Sequence, residues 1–325
     1  TALSRDNFRL QIHTRVKHVT RNGDEATGVL ATVNGTERII PLSDGGRVIL
    51  SGGALQSPQI LMYSGIGEPA VLQNLSSAGI FNLPRSQWIN NSAVGDELFD
   101  NPNTFIELSG PELHSYAYSY SSPPSSDESA YLNRRSGPYS FASETSAFWD
   151  NKAYNSSDVV GFQGTIDSSG FSDYTNNSTI TLNVYGTSGL KSKGRVVLDS
   201  EKHLPGPSSD VYYSNERDAQ DIAAFIRGIF DALPSDLTPL NIPRNATTKE
   251  IETYITTPSA YAVGMVNHWS SSCRFGSCVD VNTTVIGMKN LNVIDGSIVA
   301  PLTVNPQMGI MIAAERACEL LLGME

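Results

Sequence analysis

Two short stretches hold the residues best suited to chemistry. In VNHWSSSCRFG, residues 266–276, His268 stands between Asn267 and Trp269, and the chain has only five histidines. A neutral imidazole accepts a proton near pH 7, so His268 can serve as the acceptor for a hydroxyl proton. A lone histidine beside a tryptophan is more commonly a structural residue, and both readings stand on these residues alone. In NPQMGIMIAAERACELLL, residues 305–322, Asn305 and Pro306 precede an apolar run. Pro306 suits the first turn of a helix, whose dipole would face partial negative charge beside Asn305. Cys273 and Cys278 flank a tight loop that allows a local disulfide, and with no second Cys or His pair nearby we expect no metal site.

The elements that must position these residues read as follows. Phe8, Leu10, Ile12, Thr14 and Val16 alternate with polar residues, which predicts a strand. TGVLATV and TERIIPL flank Asn34–Gly35, a hairpin signal. GRVIL at 46–50 predicts a short buried strand running into SGGALQSPQILMYSG. There Ser57 is read as a cap, Pro58 as the first turn and Gly65 as the stop, so backbone N–H groups gather at a helix start where a phosphate-bearing cofactor can sit. From about 90 to 285 the composition shifts. A polar, Tyr-rich segment gives way to TITLNVYG and GRVVLDS, strands of an antiparallel sheet. Ile222, Phe225, Ile226, Ile229 and Leu233 follow helical spacing. NLNVIDGSIVA then reads as a strand and 306–322 as a helix, apolar all round and therefore buried, with Cys318 a buried free thiol. The order is α/β, a sheet-rich insert, then α/β again, an arrangement that places a cleft between two units.

The bulk numbers exclude several partners. The chain has 325 residues, 39% apolar and 17% charged, with a net charge of −11. Nothing resembles a basic stripe, which argues against nucleic acid, and no apolar run approaches the ~20 residues of a spanning helix. Sequons at Asn34, Asn74, Asn90, Asn155, Asn176, Asn177, Asn245 and Asn282, with the low charge, lead us to expect a secreted, extracellular glycoprotein.

Three blocks, in order, resemble the glucose–methanol–choline (GMC) family of flavin oxidoreductases. They are GGALQSPQILMYSGIG, VGDELFDNP at 94–102 and VIGMKNLNVIDGSIVAPLTVNPQMGIMIAAERACELL. Within the family, SQWIN, NVYGTSGLKSKGRV and NHWSSS look like segments of the flavin domain of cellobiose dehydrogenases. The resemblance implies an α/β fold in which a doubly wound FAD-binding domain is interrupted by a substrate domain with a mainly antiparallel sheet. Residues 1–88 and 285–325 would be the middle and last segments of the FAD domain, and 89–284 the substrate domain. The fingerprint G-x-G-x-x-G occurs nowhere in the chain. We therefore expect the FAD domain to be incomplete here, with the fingerprint on an N-terminal companion fragment or chain.

The resemblance also assigns roles. His268 would be the general base for hydride transfer from an alcohol carbon to flavin N5, and Asn305 would hold the substrate oxygen. The N–H groups near Pro306, Gln307 and Met308 would stabilise charge on the reduced flavin. Asp295 and Gly296 would approach the cofactor by their backbone, Val16 would lie on the adenine-contacting strand, Asp100 and Asn101 at a cofactor-proximal turn, and Trp269 beside the flavin. Asn267 would face substrate hydroxyls. Asp167, in GTIDSSG, stands where an arginine contacts the sugar in cellobiose dehydrogenases, which implies a changed preference. The expected activity is oxidation of a sugar or other alcohol, with a quinone, a haem domain or O2 taking the electrons. Two alternatives are a hydroxynitrile lyase of the same fold with a non-redox flavin and a non-catalytic secreted glycan-binding protein.

Overall fold

The computed structural model describes residues 2–141, 144–209, 211–262, 264, 266–302 and 305–323; Thr1, where the helix-like TALSRDN begins, lies outside them. Strand β1 (Thr14–Asn22) pairs with β2 (Glu25–Val33), and β2 pairs with β3 (Thr36–Pro41), all antiparallel. The β2–β3 turn is the expected Asn34–Gly35, with φ of 48° and 82°, the left-handed pair such a tight hairpin needs. The strand expected from Phe8 begins only at Thr14, which faces Val33, the last residue of β2. Residues 8–12 lie beyond the partner strand's end, and Phe8, Leu10 and Ile12 are exposed.

Strand β4 (Val48–Leu50) leads into helix α1 (Gly53–Tyr63). Ser57 and Pro58 do not open this helix; they lie inside it. The helix starts a turn earlier because Asp295 caps it from across the chain, accepting from Gly53 N–H at 2.9 Å and the Ser57 hydroxyl at 2.6 Å. The anion at this helix start is thus a side chain of the protein. Pro58 cannot donate to the Ala54 carbonyl. The Ser272 hydroxyl fills that place at 2.5 Å. Strand β5 (Ile66–Gly67), helix α2 (Pro69–Ser77) and strand β6 (Ile89–Asn90) follow, with β5 and β6 parallel.

The insert comprises β7 (Asn103–Ser109), α3 (Ser125–Arg134), β8 (Glu144–Asn155), β9 (Asp158–Asp167), β10 (Thr179–Gly186), β11 (Val196–Leu198), β12 (Pro205–Pro207), α4 (Glu216–Ala232), β13 (Thr238–Pro239) and α5 (Thr248–Thr256). Its sheet runs β13-β7-β10-β9-β8, antiparallel throughout. Alternation along the strands turns Ile106, Leu108, Phe162, Leu182 and Val184 into one core with Ile222, Ile226 and Phe230 of α4 and Ile251 and Ile255 of α5. Full burial of one such side chain contributes about 1.5–3 kcal/mol. Asn215 caps α4 through Arg217 N–H, and Thr247 with Glu250 forms a capping box on α5. On the opposite face Glu107, Gln163, Thr165, Thr181 and Asn183 are polar yet buried.

The chain then returns through β14 (Leu291–Val293), parallel to β4, to α6 (Gln307–Leu322). The first core joins residues from Val19 to Val94 with residues from Cys273 to Val299. The return therefore begins near the Cys273–Cys278 disulfide, ahead of the boundary expected at 285. The architecture is α/β, but the parallel pairs among the described residues, β4–β14 and β5–β6, have two strands each. A correction follows for α6: it buries only Ala317 and Leu321, while Met308, Met311, Ile312 and Leu322 are 53–70% exposed and Cys318 is exposed, not buried. The helix meets the core along one stripe, Ile310, Ala313, Ala314, Ala317 and Leu321.

Candidate active site

The residues singled out at 266–269 and 305–307 come together. A cavity of about 350 Å3 is lined by Asn267, His268, Trp269, Asn305, Pro306 and Gln307, with Ile310 and Met311. Asn267 and Asn305 both hold left-handed backbone, with φ of 67° and 61°, a conformation asparagine adopts more readily than most residues.

The loop carrying His268 is pinned along its length. The Asp100 carboxylate, 1% exposed, accepts from the N–H groups of Val266 at 3.0 Å, Asn267 at 3.1 Å and His268 at 2.7 Å, from its neighbour Asn101 N–H at 2.9 Å, and from the Tyr212 hydroxyl at 2.6 Å. Ser270 exchanges two backbone hydrogen bonds with Phe99, at 2.9 and 3.1 Å. Ser271 N–H donates to the Gly296 carbonyl and Cys273 N–H to the Ser297 carbonyl.

His268 is half-buried, and its Nδ1 is buried with no hydrogen-bond partner among the described residues. An imidazolium would bury an unsatisfied N–H there. Burial accordingly pushes the imidazole pKa below its ordinary value, and the Asp100 charge works against that shift. Burial therefore favours the neutral ring, with Nδ1 closed off from solvent.

On the facing wall, α6 begins without a side-chain cap, and the first backbone bond into it runs from Ile310 N–H to the Pro306 carbonyl. Asn215 and Thr247 cap α4 and α5, whereas the N-cap residues of α2, α3 and α6 supply no side-chain cap. Among the described residues no side chain caps the opening N–H groups of α6, which gives this wall of the cavity a partial positive charge.

The other expected residues go elsewhere. Asp295 is buried, and its second oxygen accepts from Ser297 N–H at 2.8 Å and the Ser297 hydroxyl at 2.5 Å. Gly296 packs behind the cavity, where a Cβ would lie 3.1 Å from Ile310 and 3.3 Å from the Trp269 carbonyl. The Asn101 amide donates to the Gly186 carbonyl. Asp100 and Asn101, expected at a cofactor-proximal turn, direct these bonds into the protein. Met308 is exposed outside the lining, and Val16 lies half-buried on β1. Asp167 lines a separate hollow with Phe105, Tyr118, Tyr120, Phe171 and Asn183, and accepts from the Asn183 amide at 2.9 Å. Sequence reasoning missed Ile310, Met311 and Tyr212. The first two follow Gln307 at helical spacing and were readable; nothing in DVYYSN marks Tyr212. Among the described residues no group of His, Cys, Asp or Glu is placed to hold a metal, and no helix is long and apolar enough to cross a membrane.

Known proteins resemble this chain in sequence and fold. Two family profiles, both described as GMC oxidoreductase, match residues 1–102 and 191–314. An oxygen-dependent choline dehydrogenase of Staphylococcus xylosus is 28% identical across 99% of this chain and 58% of its own length. (R)-Mandelonitrile lyase 3 of Prunus serotina is 25% identical across 96% of this chain and 55% of its own length. The solved structure of an FAD-dependent oxidoreductase from Chaetomium thermophilum superposes with a TM-score of 0.77 at 18% identity, across 98% of this chain and 62% of that one. The chain thus spans less than two thirds of the relatives it matches.

Proposed function

The chain belongs to the GMC oxidoreductase family, and from that premise we propose that it is the greater part of an FAD-dependent enzyme oxidising an alcohol carbon, with His268 as general base. One observation carries this reading: His268 and Asn305 line one cavity that opens on the start of α6, where no side chain of the described residues caps the helix. That geometry fits a flavin. Gln307 and Met308 N–H groups can face an electron-rich ring edge, and Trp269, Ile310 and Met311 offer apolar surface to a flat ring. FAD, when bound, supplies the acceptor for the hydride. His268 takes the hydroxyl proton of the donor. Asn305 hydrogen-bonds the donor oxygen and adds no second base.

A sugar is the first donor to try; Asp167 and Asn183 line a hollow separate from the His268 cavity and are not assigned to the sugar's hydroxyls. A quinone, a haem domain or O2 takes the electrons onward. The two-stranded parallel sheets and the exposed apolar residues of α6 support a companion segment carrying the dinucleotide fingerprint. We read the protein as secreted and glycosylated: seven of the eight sequon asparagines are exposed, and Asn282 is half-buried.

The mandelonitrile lyase relative keeps a second reading open, a lyase whose flavin stays oxidised. Anaerobic mixing of the flavin-loaded, full-length protein with a panel of sugars and primary alcohols separates the two. Bleaching of the flavin band by a donor supports oxidation. Cyanohydrin cleavage with an unchanged band would replace it with the lyase.

A further inference from the structure

We propose that Asp100 is the positioning residue of His268: its carboxylate, backed by the Tyr212 phenol, gathers the N–H groups of Val266, Asn267 and His268 and so fixes where the imidazole stands. The inference rests on the reading of His268 as the base.

Three successive N–H groups converge on one buried carboxylate from 166 to 168 positions away in sequence. They span Asn267, whose left-handed φ of 67° the loop must hold against its own preference. Just beyond His268, Ser270 pairs with Phe99, so both sides of the imidazole are tied to the same short segment. Tyr212 acts on both faces of this clasp. Its hydroxyl donates to Asp100 at 2.6 Å, and its ring packs on Gly264, where a Cβ would lie 3.1 Å from the ring, and stands 6.4 Å from the Trp269 ring.

The chemistry requires an acceptor-only group. All five partners of Asp100 donate: four backbone N–H groups and one hydroxyl. An asparagine has the same shape but turns two donors of its own toward them. A glutamate keeps the acceptors and shifts them by one methylene. Asp100 hydrogen-bonds backbone and phenol, so its effect on the proton transfer runs through the loop. Among the described residues, Asp100 is also the charged group acting on the imidazole.

The test uses the full-length, flavin-loaded protein with Asp100→Asn, Asp100→Glu and Tyr212→Phe. Two readouts are taken: the limiting rate and donor dissociation constant of anaerobic flavin reduction, and the titration of His268 by NMR of histidine-labelled protein, its signal assigned by loss in His268→Gln. We expect Asp100→Asn to keep its flavin and its donor affinity, to lose about 10- to 100-fold in limiting rate, and to move the His268 midpoint to lower pH. Tyr212→Phe should show a smaller loss in the same direction, and Asp100→Glu should recover most of the rate. Wild-type rates with an unmoved His268 midpoint in Asp100→Asn and Tyr212→Phe would overturn the proposal. If Asp100→Asn does not fold, Tyr212→Phe decides alone, since it leaves the four N–H bonds in place. A wild-type rate in His268→Gln would instead overturn the reading of His268 as base. The His268 signal in Tyr212→Phe, which keeps the Asp100 charge, then still reports whether the clasp holds the ring.

Discussion

Ser272 donates its hydroxyl to the carbonyl oxygen of Ala54 at 2.5 Å, the acceptor that Pro58 deprives of its usual helical partner in α1. Both residues are buried. One bond therefore repairs a helix defect and anchors the segment four residues beyond His268.

Ser272→Ala should leave the Ala54 carbonyl unsatisfied and lower stability by about 1–3 kcal/mol. Pro58→Ala restores an N–H donor within the helix. In that background the serine substitution should cost markedly less. Urea unfolding of the two single variants and the double variant measures the coupling, and equal costs in both backgrounds would show that the bond does not serve this purpose.

Asp295 ties the start of α1 to the turn after β14 through four accepted hydrogen bonds. Asp295→Ala strands two backbone N–H groups and two hydroxyls in a buried site. The expected loss is about 3 kcal/mol, read from the urea midpoint at unchanged m-value.

The pH dependence has a definite sign. Burial lowers the His268 pKa below the ordinary 6.5. Between the two values the unfolded chain holds a proton that the folded chain does not. The stability contributed by this group is therefore present above pH 6.5 and is lost as pH falls through the folded value. The same shift keeps the base neutral, so kcat/KM should stay level from neutral pH to below 6.5 before it declines. An acid limb centred above 6.5 would contradict the electrostatics of the site.

How much of this was legible depended on whether the partner lay nearby in sequence. Asn34–Gly35 carries its own φ signature, and the Ile222–Ile229 stripe carries its own period, so the hairpin and α4 were readable. His268 and the start of α6 stood out by residue type and helix-start signals, and the resemblance then gave them roles. The misplaced start of α1 has a long-range cause: Ser57–Pro58 looks like a cap, yet the capping anion, Asp295, is 238 positions from Ser57. The Asp100 clasp was invisible for the same reason. Periodicity reports that α6 is apolar, not what covers it, and the exposed Met308 and Ile312 mark that difference.

That exposure gives a prediction of its own. Ile312 is 66% exposed in this chain. Ile312→Ser should change the stability of the chain by itself by no more than about 0.5 kcal/mol. In the full-length protein, where a companion segment is proposed to cover α6, the same substitution should cost about 2–4 kcal/mol and weaken flavin retention. Equal small effects in both would leave α6 a bare surface.

The central claim is that His268 takes the donor's proton, and single-turnover flavin reduction under anaerobic conditions tests it most directly. At pH 7.5, with a donor that bleaches the wild-type flavin, His268→Gln should retain bound FAD and lose about 100- to 10,000-fold in the reduction rate. A His268→Gln enzyme that reduces its flavin at the wild-type rate would contradict the account.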